Sequence, residues 1–340
     1  MNRSFIGRLF TLSLLAALAF VLAASPGCRK EGGGGGGGGG GQRARKGPDE
    51  KIVVGFSQME NDGPWRIAET KSMRDEAAKR SGRVELIVSD ARGETARQVS
   101  DVEDLVARGV DAIFLAPREY EGLAPALQAA KEAGIPVFLI DREAAGTAGQ
   151  DYVAFLGSNF VEQGRRAGEW LAQTSGGKAG IIELTGTAGS SVAKDRHDGF
   201  AEAIGKHPDM KILASQTGNF TRAQGQRVME NLIQAHGRSI TAVYAHNDEM
   251  ALGAIQALKS AGIKPGTDVL VVSVDGQRSA LEAIMAGEMN ATVESNPRFG
   301  PLAFDTLEKF LRGEQIPAKI ILEDRFFDKN NAAQFVGEAY

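Results

Sequence analysis

Residues 112–142 read AIFLAPREYEGLAPALQAAKEAGIPVFLIDR. Two short, wholly apolar runs, 112–115 and 136–140, flank a segment in which Leu123, Leu127 and Ala130 recur at i, i+4 and i+7. A run with no polar alternation is a strand buried on both faces, and the intervening period is that of a helix with one apolar stripe. Repeated along a chain, that alternation builds a parallel sheet covered on both sides. Each run ends on polar residues, Ala116-Pro117-Arg118 after the first and Asp141-Arg142 after the second.

The same alternation extends both ways from this unit. Upstream lie the apolar runs 52–56 and 84–88, with Val99, Val102 and Val106 at i, i+3, i+7; downstream lies 153–156. After a helical stretch at 159–174 the pattern restarts with runs at 179–184, 211–215, 242–244 and 269–274. Helices between them are marked by Val228, Leu232, Ala235 and by Met250, Ala254, Leu258. A last helix carries Phe299, Leu302, Ala303, Leu307 and Phe310, followed by 320–322 and a polar tail. The reading is an α/β fold of two doubly wound parallel-sheet lobes.

Composition agrees with this and excludes other classes. The 340 residues are 42% apolar and 24% charged, an ordinary globular balance. Residues 1–50 hold seven Lys/Arg and three Asp/Glu, which leaves 32 against 40 for 51–340. An acidic body is a poor partner for nucleic acid. One cysteine, Cys28, rules out an internal disulfide, and the four histidines have no metal-ligand spacing, so neither a metal nor a cofactor is expected. No G-x-S-x-G elbow, Walker A sequence or H-E-x-x-H motif is present, so no enzyme is expected either.

The first fifty residues read as an address and a tether. Arg3 and Arg8 precede an apolar run at 9–24, with small residues after it, the pattern of an export signal over 1–27. Ser25-Pro26-Gly27-Cys28 resembles a bacterial lipoprotein box, which implies lipidation at Cys28; the alternative is cleavage after Ser25, leaving a free thiol. Ten glycines, 32–41, and the basic Arg43, Arg45 and Lys46 make 28–50 a flexible leash. The body is thus expected outside the cytoplasm, in the periplasm or at the cell surface, anchored to membrane through Cys28.

Ligands of open α/β sheets bind beyond the carboxyl ends of the strands. At those ends stand Gln58, Trp65-Arg66 and Asp141-Arg142 in the first lobe, and Arg196, Asn219-Phe220, Asn247 and Asp275 in the second. Planar bidentate groups beside two large aromatics suit the hydroxyls and C–H faces of a sugar. Singly, each has a structural reading: helix cap, core aromatic or ion-pair partner. Their coincidence at strand ends in both lobes favours a site.

Ile140-Asp141-Arg142, Glu183-Leu184-Thr185-Gly186 with Asp195-Arg196 and Gly199-Phe200, His246-Asn247-Asp248-Glu249-Met250, and Val274-Asp275-Gly276 together resemble the periplasmic sugar-binding proteins of ABC importers, of the ribose-binding, type I group. Pro64-Trp65-Arg66, Gly218-Asn219-Phe220-Thr221-Arg222 and Val293-Glu294-Ser295 are closer to the galactofuranose-binding branch; Ser295 stands where ribose binders carry glutamine. The resemblance implies a monomeric clamp with three crossover strands, near 158–159, 295–296 and 323–324. The lobes would then comprise 51–158 with 296–323, and 159–295 with 324–340. It also implies that Trp65 and Phe220 sandwich a monosaccharide while Arg66, Asp141, Arg142, Arg196, Asn247 and Asp275 bond its hydroxyls. Gln58, Asn219, Glu294 and Ser295 are secondary candidates. Three arginines against two aspartates, with Glu294 as a third acid, imply an uncharged ligand. The implied partner is an inner-membrane ABC permease. The rival readings are a sugar or signal receptor built on the same clamp, a transcription regulator, for which a DNA-binding headpiece is lacking, and a secreted carbohydrate enzyme.

Overall fold

The computed structural model describes residues 46, 47 and 50–340; the expected export signal, Cys28 and the polyglycine lie outside the described residues. In chain order the first sheet receives β1 (Ile52–Gln58), β2 (Val84–Asp90), β3 (Ala112–Leu115), β4 (Val137–Ile140) and β5 (Ala154–Ser158). They alternate with α1 (Gly63–Lys79), α2 (Thr95–Ala107) and α3 (Ala124–Glu132). The second sheet takes β6 (Lys178–Thr185), β7 (Asp209–Thr217), β8 (Ala242–Ala245), β9 (Leu270–Asp275) and β10 (Ala291–Glu294), with helices α4 (Phe160–Ser175), α5 (Ser191–Ile204), α6 (Arg222–His236), α7 (Asp248–Ser260) and α8 (Arg278–Met285). Then α9 (Gly300–Leu311) and β11 (Lys319–Leu322) return to the first lobe, and β12 (Phe326–Asp328) and α10 (Ala332–Phe335) to the second.

The strand orders are β11-β5-β4-β3-β1-β2 and β12-β10-β9-β8-β6-β7. All neighbours are parallel except β10 and β12, whose antiparallel register sets Thr292 opposite Phe327. The chain therefore passes between the sheets after β5, after β10 and after β11. In each sheet the order reverses, at β1/β3 and at β6/β8, which opens a crevice at the carboxyl ends of those strands.

The inner strands β3, β4 and β8 are apolar throughout because each faces helices on both sides. In β3, Ala112 and Phe114 enter one core with α1 and α9, while Ile113 and Leu115 enter another with α2 and α3. Phe304 of α9 meets Phe114 edge-on at 5.2 Å between ring centroids, and Phe310 meets Phe138 at 5.6 Å. This explains the aromatic stripe of the late helix: it covers the first sheet although it follows the second in sequence. β8 divides its side chains likewise, Val243 and Ala245 to one side, Ala242 and Tyr244 to the other.

The tail after β11, read from the sequence only as polar and as part of the second lobe, holds a strand and a short helix. Phe327 is buried and β12 pairs with β10. A three-residue strand is too short to register as a period. α8 and β10 were likewise not read from the sequence; each is short, and β10 carries a buried Thr292 and a terminal Glu294 among its four residues.

Candidate functional site

The helices that follow the strands begin at the crevice. α1 starts with Gly63-Pro64, proline being at home in a first turn, which places Trp65 and Arg66 at the crevice edge. Ser190, Thr221 and Asn247 cap α5, α6 and α7, their side-chain oxygens accepting the amide N–H of Ala193, Gln224 and Met250. Asp141 directly follows β4 and Asp275 ends β9, both at positive φ, 63° and 134°. Asn219 and Phe220 are a consecutive left-handed pair at 49° and 59°. Non-glycine residues at positive φ are uncommon and gather at functional sites.

These elements enclose a cavity of about 260 Å³ between the lobes. Trp65, Arg66, Asp141, Arg142, Arg196, Asn219, Phe220, Asn247, Asp275 and Ser295 all line it. Val192, Glu60, Asp62 and the Arg222–Glu249 ion pair also line it; Val192, Glu60 and Asp62 were not singled out from the sequence, and Arg222 and Glu249 stood in quoted motifs without a role.

The polar wall is a set of buried ion pairs. Arg66 donates to Glu69 Oε2 at 2.8 Å and to Asp141 Oδ2 at 2.7 Å. Burial alone would lower its pKa, but Asp141 and Glu69 outweigh burial and raise it. Arg142 donates to the main-chain oxygen of Arg118 and lies 3.7 Å from Asp141, its Nε without a hydrogen-bond partner. Burial and the adjacent Arg66 push Arg142 down to about 9, which leaves it charged at neutral pH. Arg196 donates to Gln163 Oε1 at 2.9 Å and to the His246 carbonyl, and stands 3.7 Å from Asp275. Burial pushes the Asp275 carboxyl well above the usual range.

Two aromatics form the apolar walls. Trp65 donates its indole N–H to the Ser295 carbonyl at 2.8 Å, with the Arg66 guanidinium 4.6 Å from its ring centroid. Phe220 rests over Gly186, where a Cβ would lie 1.9 Å from the ring, and the Arg142 guanidinium faces it at 5.3 Å. The Gly186 amide is held by His246 Nδ1 at 3.4 Å, and His246 Nε2 by Glu183 at 3.1 Å. The lobes touch around the cavity: Tyr120 N–H donates to Gly189 O at 2.9 Å and Glu143 N–H to Ser191 Oγ at 3.1 Å. This is a closed clamp.

Two candidates lie elsewhere. Gln58 is fully buried behind the wall, donating to Glu69 and Thr70 while its oxygen accepts from the Met59 amide. Glu294 turns to the crossover, both its oxygens held by Arg325. The acid that pairs Arg66 from behind the wall is Glu69, three residues later on α1 and thus on the same helical face, while Glu60, Asp62 and Glu249 line the cavity beside Asp141 and Asp275. Asn247 lines the cavity, yet its side chain caps α7 and donates to the Phe220 carbonyl at 3.0 Å. Among the described residues no group of His, Cys, Asp and Glu is arranged to hold a metal ion.

Two doubly wound lobes, crossed three times by the chain and closed on a cavity with paired charges and aromatic walls, define a solute-binding clamp. A family model for the periplasmic binding protein domain matches residues 54–315, and the chain belongs to that family. The galactofuranose-binding protein of Escherichia coli strain K12 is 44% identical over 274 residues, 80% of this chain and 86% of that one. A ribose import binding protein of Bacillus subtilis strain 168 is 34% identical over 278 residues, 82% and 87% of the two chains. The periplasmic component of the arabinose ABC transporter from Shewanella sp. ANA-3, solved with α- and β-L-arabinofuranose, superposes with a TM-score of 0.81 at 40% identity, covering 84% of this chain and 95% of that one. The chain is a binding protein rather than an enzyme, and its family acts outside the cytoplasm.

Proposed function

We propose that this protein captures a neutral monosaccharide in its furanose form, a galactose-like hexose or an arabinose-like pentose, and delivers it to an ABC importer. The acids of the cleft carry the reading. The buried arginines Arg66, Arg142 and Arg196 are each faced by a carboxyl group of Glu69, Asp141 or Asp275, and Glu60, Asp62 and Glu249 also line the cavity, so an anionic ligand would meet a wall that already holds acids. Trp65 and Phe220 offer faces for a sugar ring, and the cavity-lining guanidinium of Arg142 and the loosely paired carboxyl of Asp275 supply polar groups for hydroxyls. The galactofuranose-binding and arabinofuranose-bound relatives support the furanose ring.

In this reading the protein works as a monomer, lipidated at Cys28. Lys46, the last basic residue of the leash, bonds Asp111 and the Lys51 carbonyl at the amino end of β1. Lys46 is thus held at the end of β1 opposite the strand ends that line the cleft. Thermal unfolding against paired neutral and acidic sugars tests the ligand class. A ligand at about 100 times its dissociation constant adds ~2.7 kcal/mol of stability. Methyl galactofuranoside or L-arabinose should raise the midpoint and galacturonate should not; a shift with galacturonate alone overturns the reading.

A further inference from the structure

Gln163 is buried in the first turns of α4 and has no place in the cavity, yet its amide joins the cleft to the hinge. Its Oε1 accepts from Arg196 Nε at 2.9 Å. Its Nε2 donates to the Glu294 carbonyl at 3.2 Å and to Asp324 Oδ2 at 2.7 Å. Glu294 is the last residue of β10, before one passage between the lobes; Asp324 lies in another, between β11 and β12. The other Asp324 oxygen accepts from Ser158 Oγ at 3.1 Å, and Ser158 ends β5, before the remaining passage. All three passages thus meet one side-chain amide within three hydrogen bonds. The backbones of α4 and α5 are packed closely beside it, since a Cβ on the neighbouring Gly164 would lie 2.1 Å from the Arg196 carbonyl oxygen.

We propose that Gln163 is a positioning residue that couples the placement of Arg196 to the hinge, so that the closed clamp is favoured only while Gln163 bonds both. Opening about the passages changes what Glu294 and Asp324 present to the amide, and Arg196, donating to its other end, moves with it. Gln163 therefore transmits closure to the ligand-facing arginine, and ligand contact at that arginine back to the hinge.

The test needs no sugar, so its failure is separable from failure of the proposed ligand class. Amides of Tyr120 and Glu143 bond across the lobes, and their hydrogen-exchange protection in the ligand-free exported protein reads the closed population. Gln163→Met and Arg196→Met should each reduce that protection by about tenfold, and the double variant by no more than either alone. Additive losses, or unchanged protection in Gln163→Met, overturn the coupling.

Gln163→Glu guards against a variant that merely disturbs packing. It retains the acceptor for Arg196 but sets a second carboxylate against Asp324. Asp324 is faced also by Ser158 of β5, by Arg166 of α4 donating to its main-chain oxygen, and by the charges of Arg196 and of Glu294, which Arg325 pairs. Two carboxylates at that separation share a proton at low pH and repel at high pH. Protection in Gln163→Glu should match the parent near pH 5 and fall by about tenfold near pH 8, each corrected for intrinsic exchange. A loss independent of pH contradicts the proposal.

Discussion

Phe220 owes its position to what Gly186 lacks. The ring occupies the space a Cβ would fill, and the Gly186 amide is fixed from behind by His246 and Glu183. Gly186→Ala should displace the ring and weaken sugar binding by about tenfold, equivalent to ~1.4 kcal/mol, with a smaller change in unfolding free energy because Phe220 is only half-buried. Calorimetric affinity and urea unfolding of the one variant check both halves. At this scale the sequence is informative about address and silent about aim. Trp65, Arg66, Asp141, Arg196 and Asp275 were legible as polar or aromatic residues at strand ends, and all line the cavity. Gln58 and Glu294 have the same address but turn to Glu69 and Arg325. Glu69 was within reach, since i, i+3 spacing from Arg66 is visible in a helix. Gln163 gave no signal, because its partners are 33, 131 and 161 positions away.

The alternation of strands and helices was readable because the inner strands are buried on both faces and helices such as α2, α3 and α9 keep an apolar stripe. The tail escaped for a physical reason. β12 forms only by adding antiparallel to β10, so its pairing is invisible locally, and with it the role of Arg325, which precedes the strand and holds Glu294. The structure assigns Glu294 to the crossover and Asp275 to the cleft, and the two can be told apart. Glu294→Gln should leave sugar affinity within about twofold while loosening the tail contact, worth ~1 kcal/mol for a partly exposed pair. Asp275→Asn should weaken binding by about tenfold or more, since it alters a buried, cavity-lining carboxyl group beside Arg196. Equal effects of the two variants on calorimetric affinity would return Glu294 to the site.

Across the whole molecule, buried acids set the response to pH. Burial pushes Asp324 up to about 6, and Glu69 and Asp248 up to about 7. The unfolded chain releases these protons near pH 4, so between about 4 and 7 the folded chain binds more protons and stability declines as pH rises. Burial lowers His246, which works the other way as pH falls through the unfolded value of about 6.5. Burial would raise Glu183, but its hydrogen bonds from His246, Ser215 and His197 prevail and hold it down to about 2, so its contribution is lost only in strong acid. Asp275, which burial also raises, joins Asp324, Glu69 and Asp248, and four acids against one histidine predict a higher thermal midpoint at pH 5.5 than at pH 8 for the ligand-free protein. Asp324→Asn should flatten part of that slope. The two-lobed plan was legible from the restart of the pattern after 159–174, whereas the return of α9 and β11 to the first lobe came from resemblance, since nothing in a strand's own residues states which sheet it joins.

A neutral furanose held between Trp65 and Phe220 is tested most directly by calorimetric titration of methyl galactofuranoside and L-arabinose, with galacturonate alongside, into the exported protein and its Trp65→Ala variant. Saturable binding of a neutral sugar to the parent is expected, about tenfold weaker in the variant for a stacking loss of ~1–1.5 kcal/mol, and none for the acid. Binding of the acid alone, or equal affinity in parent and variant, would contradict it.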